Sequence, residues 1–141
     1  MIEQYVKTNK IAFTYKYFPI IDIRTSAKES NWAAYAAECA NEQGKFWEYH
    51  DKLFSEWRGE NVGAYSKANL KKYAADLGLD AARFNPCLDT DKYASIVQAD
   101  DNEAQGLGLG GTPSFLINGR LLQVRSLDIG EFSRTFDSLL R

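Results

Sequence analysis

The stretch GLGGTPSFLING, from Gly108 to Gly119, joins a glycine-rich turn to a short apolar run. Phe115 to Ile117 has the residue types of a strand, whereas the preceding Pro113 has no amide hydrogen for a sheet ladder. Such a proline belongs at the start of a strand, on an edge or in a special turn. The Thr112–Pro113 bond can also adopt the cis state at low cost. We therefore expect something to dock against this turn.

The residues after the turn predict a hairpin and a final helix. Asn118-Gly119 is flanked by PSFLI and LLQVR, and this dipeptide is typical of a type I′ turn between two strands. Beyond it, Ser126 or Asp128 can cap a last amphipathic helix. The apolar face of that helix consists of Phe132, Phe136, Leu139 and Leu140.

The N-terminal part of the chain predicts one strand. Met1 to Thr8 has the pattern of the end of a helix. From Lys10 to Tyr17 the residues alternate between two faces, with β-branched and aromatic side chains, as in a strand. Phe18-Pro19 ends it, because proline biases the residue before it away from the helical region. Ile20 to Ala27 is predicted to be a connection.

Residues 30–107 predict an almost wholly helical block. Its predicted N-caps are Ser30 or Asn31, Ser66, Asp80, and Asp89 or Asp91. Its predicted breaks are Gly44 and Gly78, and Pro86 is predicted to interrupt or restart the short helix that Asp80 begins. The order of strand, helical block, hairpin and helix indicates an α/β layer with a helical insertion.

The segment KFWEYHDKLFSEW predicts an aromatic helix within this block. Phe46, His50, Leu53 and Trp57 recur at helical spacings and form one wide apolar face. A core or boundary role is favoured over catalysis for His50, and Tyr49 and Trp57 are predicted to pack rather than to bind. A partly exposed hydrophobic groove is the alternative.

Composition excludes several classes of protein. The chain has 141 residues, which indicates one domain, and its 17 Lys and Arg against 19 Asp and Glu give a net charge of −2 without a basic stripe. Nucleic acid is therefore not an expected partner. No apolar run approaches the roughly 20 residues of a membrane span, and no signal peptide precedes Tyr5. The GLGLGG run follows a helix and precedes a strand, the wrong context for a nucleotide, so no cofactor is expected.

The cysteines leave two alternatives open. Cys39 and Cys87, with the single His50, are too few ligands for a zinc site, so no metal is expected. Neither cysteine lies in a Cys-x-x-Cys pair. The residues alone allow one disulfide or two buried thiols, and composition slightly favours the thiols.

Four phrases in this order and spacing resemble the DsbA-like thiol-disulfide oxidoreductases, whose fold is a thioredoxin fold with an inserted helical domain. The phrases are KIAFTYKYFPI, AAYAAECANEQGKFWEYHDKLF, NLKKYAADLGLDAARFNPCLD and GGTPSFLINGR. The resemblance implies an α/β, incomplete thioredoxin-like fold with a large α-helical insertion. Residues 1–141 would form a single, N-terminally truncated domain, with a thioredoxin-like part at 1–19 and 108–141 and an insertion at 28–107.

The resemblance also implies which functional parts to expect. The family's Cys-x-x-Cys starts the helix before the first strand found here, so that dithiol and the strand preceding it are expected to be missing, and no residue of this chain is assigned as catalytic. Gly111, Thr112 and Pro113 correspond to the family's substrate-binding turn. Pro113 is then expected to be cis, and Thr112 to offer its backbone to an extended peptide.

The resemblance further implies a structural Cys39–Cys87 disulfide, which points to an oxidising, extracytoplasmic compartment such as the periplasm or cell envelope. The expected partners are proteins or peptides that contain cysteines. The missing strand would lie between the strands corresponding to residues 11–17 and 114–117, so its absence leaves unpaired edges. A homodimer that completes the sheet is one expected consequence.

Three function classes follow for this chain. The first is a DsbA-like protein-disulfide oxidoreductase, inactive as these residues alone because the dithiol segment is absent. The second is a redox-inactive thioredoxin-fold module that binds peptides or proteins. The third is a glutathione-using transferase or isomerase of the same fold, in which serine replaces the reactive thiol.

Overall fold

A computed structural model describes residues 1–140, which contain helices and one small sheet. The helices are a π-helix at Ile2–Val6, α1 (Ile20–Arg24), α2 (Glu29–Asn41), α3 (Phe46–Ser55), α4 (Lys67–Asp76), α5 (Ala81–Asp89), α6 (Ala94–Gly106) and α7 (Ile129–Leu139). The strands are β1 (Phe115–Ile117) and β2 (Arg120–Leu122). The predicted α/β class with a large helical insertion is confirmed.

The described residues divide into two compact units. One, the hairpin unit, contains residues 1–15 and the residues from 113 onward. The other, the helical unit, contains residues 16–112. The domain bounds expected from the sequence remain a prediction.

The hairpin unit contains the predicted tight turn. β1 and β2 pair antiparallel, with Phe115 opposite Leu122 and Ile117 opposite Arg120. Asn118 and Gly119 have φ values of 50° and 76°. Positive φ at both central residues defines a type I′ turn, whose twist matches that of the two strands. The hairpin is therefore confirmed.

One face of the hairpin packs on aromatic rings of the unit. Phe115 and Phe132 have ring centroids 4.8 Å apart, and Tyr5 and Phe136 are 5.1 Å apart. The Tyr5 hydroxyl donates a hydrogen bond of 2.9 Å to Asp137 Oδ1, which satisfies its polar end. The predicted apolar face of α7 holds only in part, since Leu139 and Leu140 are exposed.

The predicted strand at residues 10–17 is absent. A strand exists only with a partner, and in the described part of the chain the sheet consists of β1 and β2. The Tyr17 amide, in the helical unit, donates instead to Asp100 Oδ2 at 3.1 Å. The predicted connection after Pro19 is also partly wrong, because Ile20–Arg24 forms α1.

The helical unit packs around the alanine-rich helix α2. Ala36 and Ala40 are fully buried, and their small side chains allow neighbouring helices to approach closely. Cys39 of α2 is also almost completely buried. The other large side chains with almost no exposure belong to the surrounding helices; they are Tyr49, Leu70, Phe84, Leu88 and Val97. The Tyr49 hydroxyl donates to the Leu70 carbonyl at 2.8 Å, so this buried polar atom has a partner.

The local signals for helix starts and stops were mostly correct. The Ser66 hydroxyl accepts from the Asn69 amide at 3.4 Å, and Asp80 Oδ1 accepts from the Ala82 amide at 2.8 Å. Gly44 and Gly78 have φ of 70° and 71°, the left-handed conformation expected at helix ends.

Three local predictions in this unit were wrong. α5 continues through Pro86, because burial of the residues around it stabilises the helix more than one lost backbone bond weakens it. α6 begins at Ala94 rather than after Asp89 or Asp91. α2 receives its N-terminal cap from a residue distant in sequence, Asp22, rather than from Ser30 or Asn31.

The structure contains the Cys39–Cys87 disulfide, which joins α2 to α5 with a Cα–Cα distance of 6.0 Å. Both cysteines are buried, with exposures of 1% and 5%. Glu42 Oε1 lies 3.7 Å from the Cys87 sulfur and also accepts a 2.6 Å bond from the Tyr93 hydroxyl. The bridge is therefore part of the core of the helical unit.

Replacement of both cysteines by alanine is expected to destabilise the chain by up to about 4 kcal/mol, because the bridge closes a long loop in the unfolded chain. The measurement is urea unfolding without reductant. The unmodified chain with dithiothreitol is the control, since it should lose a similar amount. An unchanged midpoint in both cases would show that the bridge contributes nothing.

Candidate functional site

The helical unit has a groove of about 380 Å³ next to the glycine-rich turn. Its walls come from α1, the start of α2, the loop after α3 and the turn itself. The lining residues are Ile20, Ile21, Arg24, Glu29, Ser30, Trp57, Gly59, Glu60, Asn61, Tyr65, Gly111 and Thr112. Its volume lies at the small end of the range of ligand pockets, roughly 300–1,000 Å³.

Asp22 fixes α1, one wall of the groove, to the start of α2. Its side chain is buried and accepts from the Ser30 amide at 3.3 Å and from the Asn31 amide at 2.8 Å. The Asn31 side-chain amide donates to the same carboxylate at 2.8 Å. A carboxylate at a helix N-terminus satisfies amides that have no partner within the helix and interacts favourably with the helix dipole.

Glu29 holds the opposite wall. Its two carboxylate oxygens accept from the Gly63 amide at 2.8 Å and from the Tyr65 amide at 2.9 Å. The Tyr65 hydroxyl donates in turn to the Leu53 carbonyl at 2.8 Å. Burial raises the pKa of Tyr65 to about 12, so this hydroxyl remains a neutral donor at physiological pH. The loop after α3 is thereby attached to both α2 and α3.

The glycine-rich turn forms the third wall. The Arg24 guanidinium donates to the Gly110 carbonyl at 3.4 Å. A Cβ atom added at Gly110 or Gly111 would meet no atom within 4 Å, so open space adjoins both residues. This open space leaves room for a ligand backbone. Thr112 ends the helical unit, and Pro113 begins the hairpin unit.

Trp57 is the residue that sequence reasoning assigned wrongly. Its side chain is 61% exposed and lines the groove, whereas helical spacing from Leu53 predicted burial. The helix ends at Ser55, so the periodicity no longer applies at Trp57. The roles of Asp22 and Glu29 were also missed. Both residues bind backbone amides, and every residue type except proline has one, so the sequence does not indicate which amides they contact.

The remaining predicted residues lie outside the groove walls. Cys39 and Cys87 belong to the core, and His50 lies on α3 with its side chain 21% exposed. The His50 ring is 5.4 Å from that of Trp47 and 4.7 Å from that of Phe54, which fits a boundary position. The groove walls therefore contain polar and aromatic groups for binding but no thiol.

No cluster of three or more His, Cys, Asp and Glu side chains in residues 1–140 could hold a metal ion. No helix described there is long and apolar enough to cross a membrane.

Comparisons with known proteins identify a family. A family model described as Thioredoxin matches residues 1–138. The Na+/H+ antiporter NhaA 3 of Salinispora tropica is 34% identical over 118 residues, which are 84% of this chain and 17% of that protein. A Rickettsia typhi protein, whose name assigns it provisionally as a protein-disulfide oxidoreductase, is 27% identical over 143 aligned positions, covering 98% of this chain and 48% of that protein.

The chain therefore spans under a fifth of the antiporter and about half of the Rickettsia protein. A second Rickettsia protein, from Rickettsia prowazekii and named in the same way, shows the same identity and coverage. No solved structure gives a significant match.

Asp22→Ala is expected to destabilise the chain by about 1–3 kcal/mol, because two buried amides lose their acceptor. Amide hydrogen exchange should accelerate at Ser30 and Asn31. Asp80→Ala, which removes a cap distant from the groove, is the matched control and should accelerate exchange at Ala82 instead. Unchanged exchange at Ser30 in Asp22→Ala would contradict this role.

Proposed function

Because the chain belongs to the thioredoxin family, we propose that it is part of a DsbA-like protein-disulfide oxidoreductase, which exchanges thiols and disulfides with protein substrates. The observation that carries this proposal is the family match over residues 1–138. The Rickettsia relatives, which align with 98% of the chain and are named for this chemistry, support it.

In this proposal the described residues bind the substrate. An extended peptide pairs with the backbone of Thr112 at the turn, and Pro113, in the cis state, leaves that side of the turn without an amide that would compete. Gly111 offers no side chain to obstruct the peptide, and Trp57 provides an apolar wall for its side chains. Binding would thus combine main-chain hydrogen bonds with apolar burial.

The proposal assigns the exchange reaction to a dithiol outside these 141 residues. Exchange requires a thiolate that can reach a disulfide sulfur of the substrate. Cys39 and Cys87 are joined to each other and buried, so neither offers such a group. We assign them a structural role and, because disulfides persist in oxidising compartments, we propose an extracytoplasmic location.

The 141-residue polypeptide is expected to show no turnover in dithiol-dependent insulin reduction. Appreciable activity that Cys87→Ser abolishes would overturn the structural role of this cysteine. The DNA upstream of the Met1 codon tests whether the whole protein has this activity. The proposal requires that this DNA encode, in the same reading frame, a β-strand segment followed by Cys-x-x-Cys. A serine at the reactive position would favour the glutathione-using alternative instead, and a start of the gene product at Met1 would contradict the proposal.

A redox-inactive, peptide-binding module is the second candidate. It is favoured by the antiporter relative, in which the matched segment is 17% of a protein named for ion transport. In such a protein the groove would bind a polypeptide without any exchange of disulfides. The sequence encoded upstream of Met1 distinguishes the two candidates, because the peptide-binding module requires no Cys-x-x-Cys there.

A homodimer through the edge of β1 is a further part of the proposal. Ile117 and Arg120 close the two-residue turn as a hydrogen-bonded pair. The N–H and C=O of Leu116 therefore point away from β2, towards the edge. The edge of a sheet offers N–H and C=O groups to another strand, and a second copy of β1 would extend this sheet to four strands.

Leu116→Lys is expected to shift a concentration-dependent dimer towards monomer, because the two lysines would meet near the symmetry axis of paired β1 strands. Sedimentation equilibrium measures the shift. Leu121→Lys is the matched control, since Leu121 faces Leu116 from β2 and is similarly exposed, at 47% against 39%. A chain that is monomeric at all concentrations would rule out the dimer.

A further inference from the structure

The outer face of α3 and the residues just after it carry an exposed aromatic ridge, which consists of Trp47, His50, Phe54 and Trp57. Phe54 is 66% exposed, Trp57 61% and Trp47 47%. The His50 ring lies between those of Trp47 and Phe54, at 5.4 and 4.7 Å. Trp47, His50 and Phe54 thus form a row of rings on α3, and the exposed Trp57 follows just beyond the end of that helix. Exposed apolar surface of this kind often marks a site of interaction.

The aromatic ridge is continuous with the groove. Trp57 belongs to both, and its amide donates to the Phe54 carbonyl at 3.4 Å, so the two residues are one turn apart. From Trp47 to Trp57 the ridge extends about 15 Å, at roughly 1.5 Å per helical residue. An extended peptide, at about 3.3 Å per residue, would place four or five residues along it.

We infer that the aromatic ridge extends the groove and binds an unfolded segment of a substrate protein, with apolar side chains at alternate positions and basic residues beside them. This inference rests on the proposed peptide site at Thr112 and adds the sequence preference of that site. Alternation follows from the geometry of an extended chain, whose successive side chains point to opposite sides.

The charges around the aromatic ridge are the reason for expecting basic residues in the bound peptide. Lys45 pairs with Glu48, and Lys52 and Arg58 both pair with Glu56. Asp51 on α3 lies 3.0 Å from His50 Nδ1, a ring that is charged only when protonated. Neither Asp51 nor Glu60, which lines the groove, pairs with a Lys or Arg among the described residues. The Asp51 side chain is 82% exposed.

These carboxylates also argue against an anionic membrane as the occupant of the aromatic ridge. Like charges repel, whereas a lysine or arginine next to an apolar residue of a peptide would be attracted to Asp51 or Glu60. Continuity with the groove favours an extended peptide over a folded second copy of this chain, because the groove walls leave room for a peptide backbone at Gly111.

The test is an NMR titration of the 141-residue chain with two peptides. The longer peptide has nine residues, in which leucine and serine alternate between a lysine at each end. The shorter peptide consists of only the four central residues of the longer one. The indole N–H signal of Trp47 reports on the aromatic ridge and that of Trp57 on both the ridge and the groove, while Trp32 on α2 is the internal control. The longer peptide is expected to shift the indole signals of both Trp47 and Trp57 without that of Trp32. The shorter peptide is expected to shift the indole signal of Trp57, which also lines the groove, without that of Trp47.

Phe54→Ser is expected to weaken binding of the longer peptide about tenfold, since burial of one aromatic side chain is lost, and to leave the shorter peptide unaffected. Ile96→Ser removes a 46% exposed apolar residue elsewhere in the helical unit and is the matched control. Unchanged thermal unfolding of both variants shows that they remain folded.

The outcomes separate this inference from the function on which it rests. If neither peptide binds, the proposed peptide site itself fails. If the longer peptide shifts NMR signals of groove residues and the Phe54→Ser variant binds it equally well, the aromatic ridge does not contribute to binding, while the proposed peptide site remains. If the indoles of Trp47 and Trp57 instead shift with phosphatidylcholine vesicles, or with protein concentration alone, a bilayer or a second copy is the occupant and the inference is overturned.

Discussion

Close packing around α2 is the constraint on which the helical unit depends. Alanine at the points of contact lets α1, α3, α4, α5 and α6 all approach this one helix. A core of that kind has little free volume, so a change at any contact is transmitted to its neighbours. The disulfide from Cys39 adds a covalent link at the centre of the same packing, between α2 and α5.

The same helix connects this core to the groove. Its N-terminal amides are satisfied by Asp22, which holds α1, and its first residue, Glu29, holds the loop after α3. Two carboxylates near one helix end therefore position two walls of the groove through backbone amides. Such bonds restrain the loop, and a restrained site loses less entropy when it binds a ligand than a mobile loop would.

The disulfide and the groove lie in separate parts of the helical unit. The two sulfurs lie in the core, whereas the groove and the aromatic ridge are surfaces that carry no thiol. A thioredoxin family fold can therefore occur in proteins with different names, such as the antiporter and the Rickettsia relatives, because a fold alone does not set the function. What is common to both proposed functions is recognition of an extended chain.

The sequence by itself determined the elements whose signals are local. The Asn118-Gly119 turn, the caps at Ser66 and Asp80 and the stops at Gly44 and Gly78 depend on neighbouring residues, so they were predicted correctly. Only the tertiary structure decided that residues 10–17 form no strand and that Trp57 faces solvent. Strand formation needs a partner from another part of the chain, and burial depends on where a helix ends and on what packs against it. Neither can be computed from a residue and its immediate neighbours.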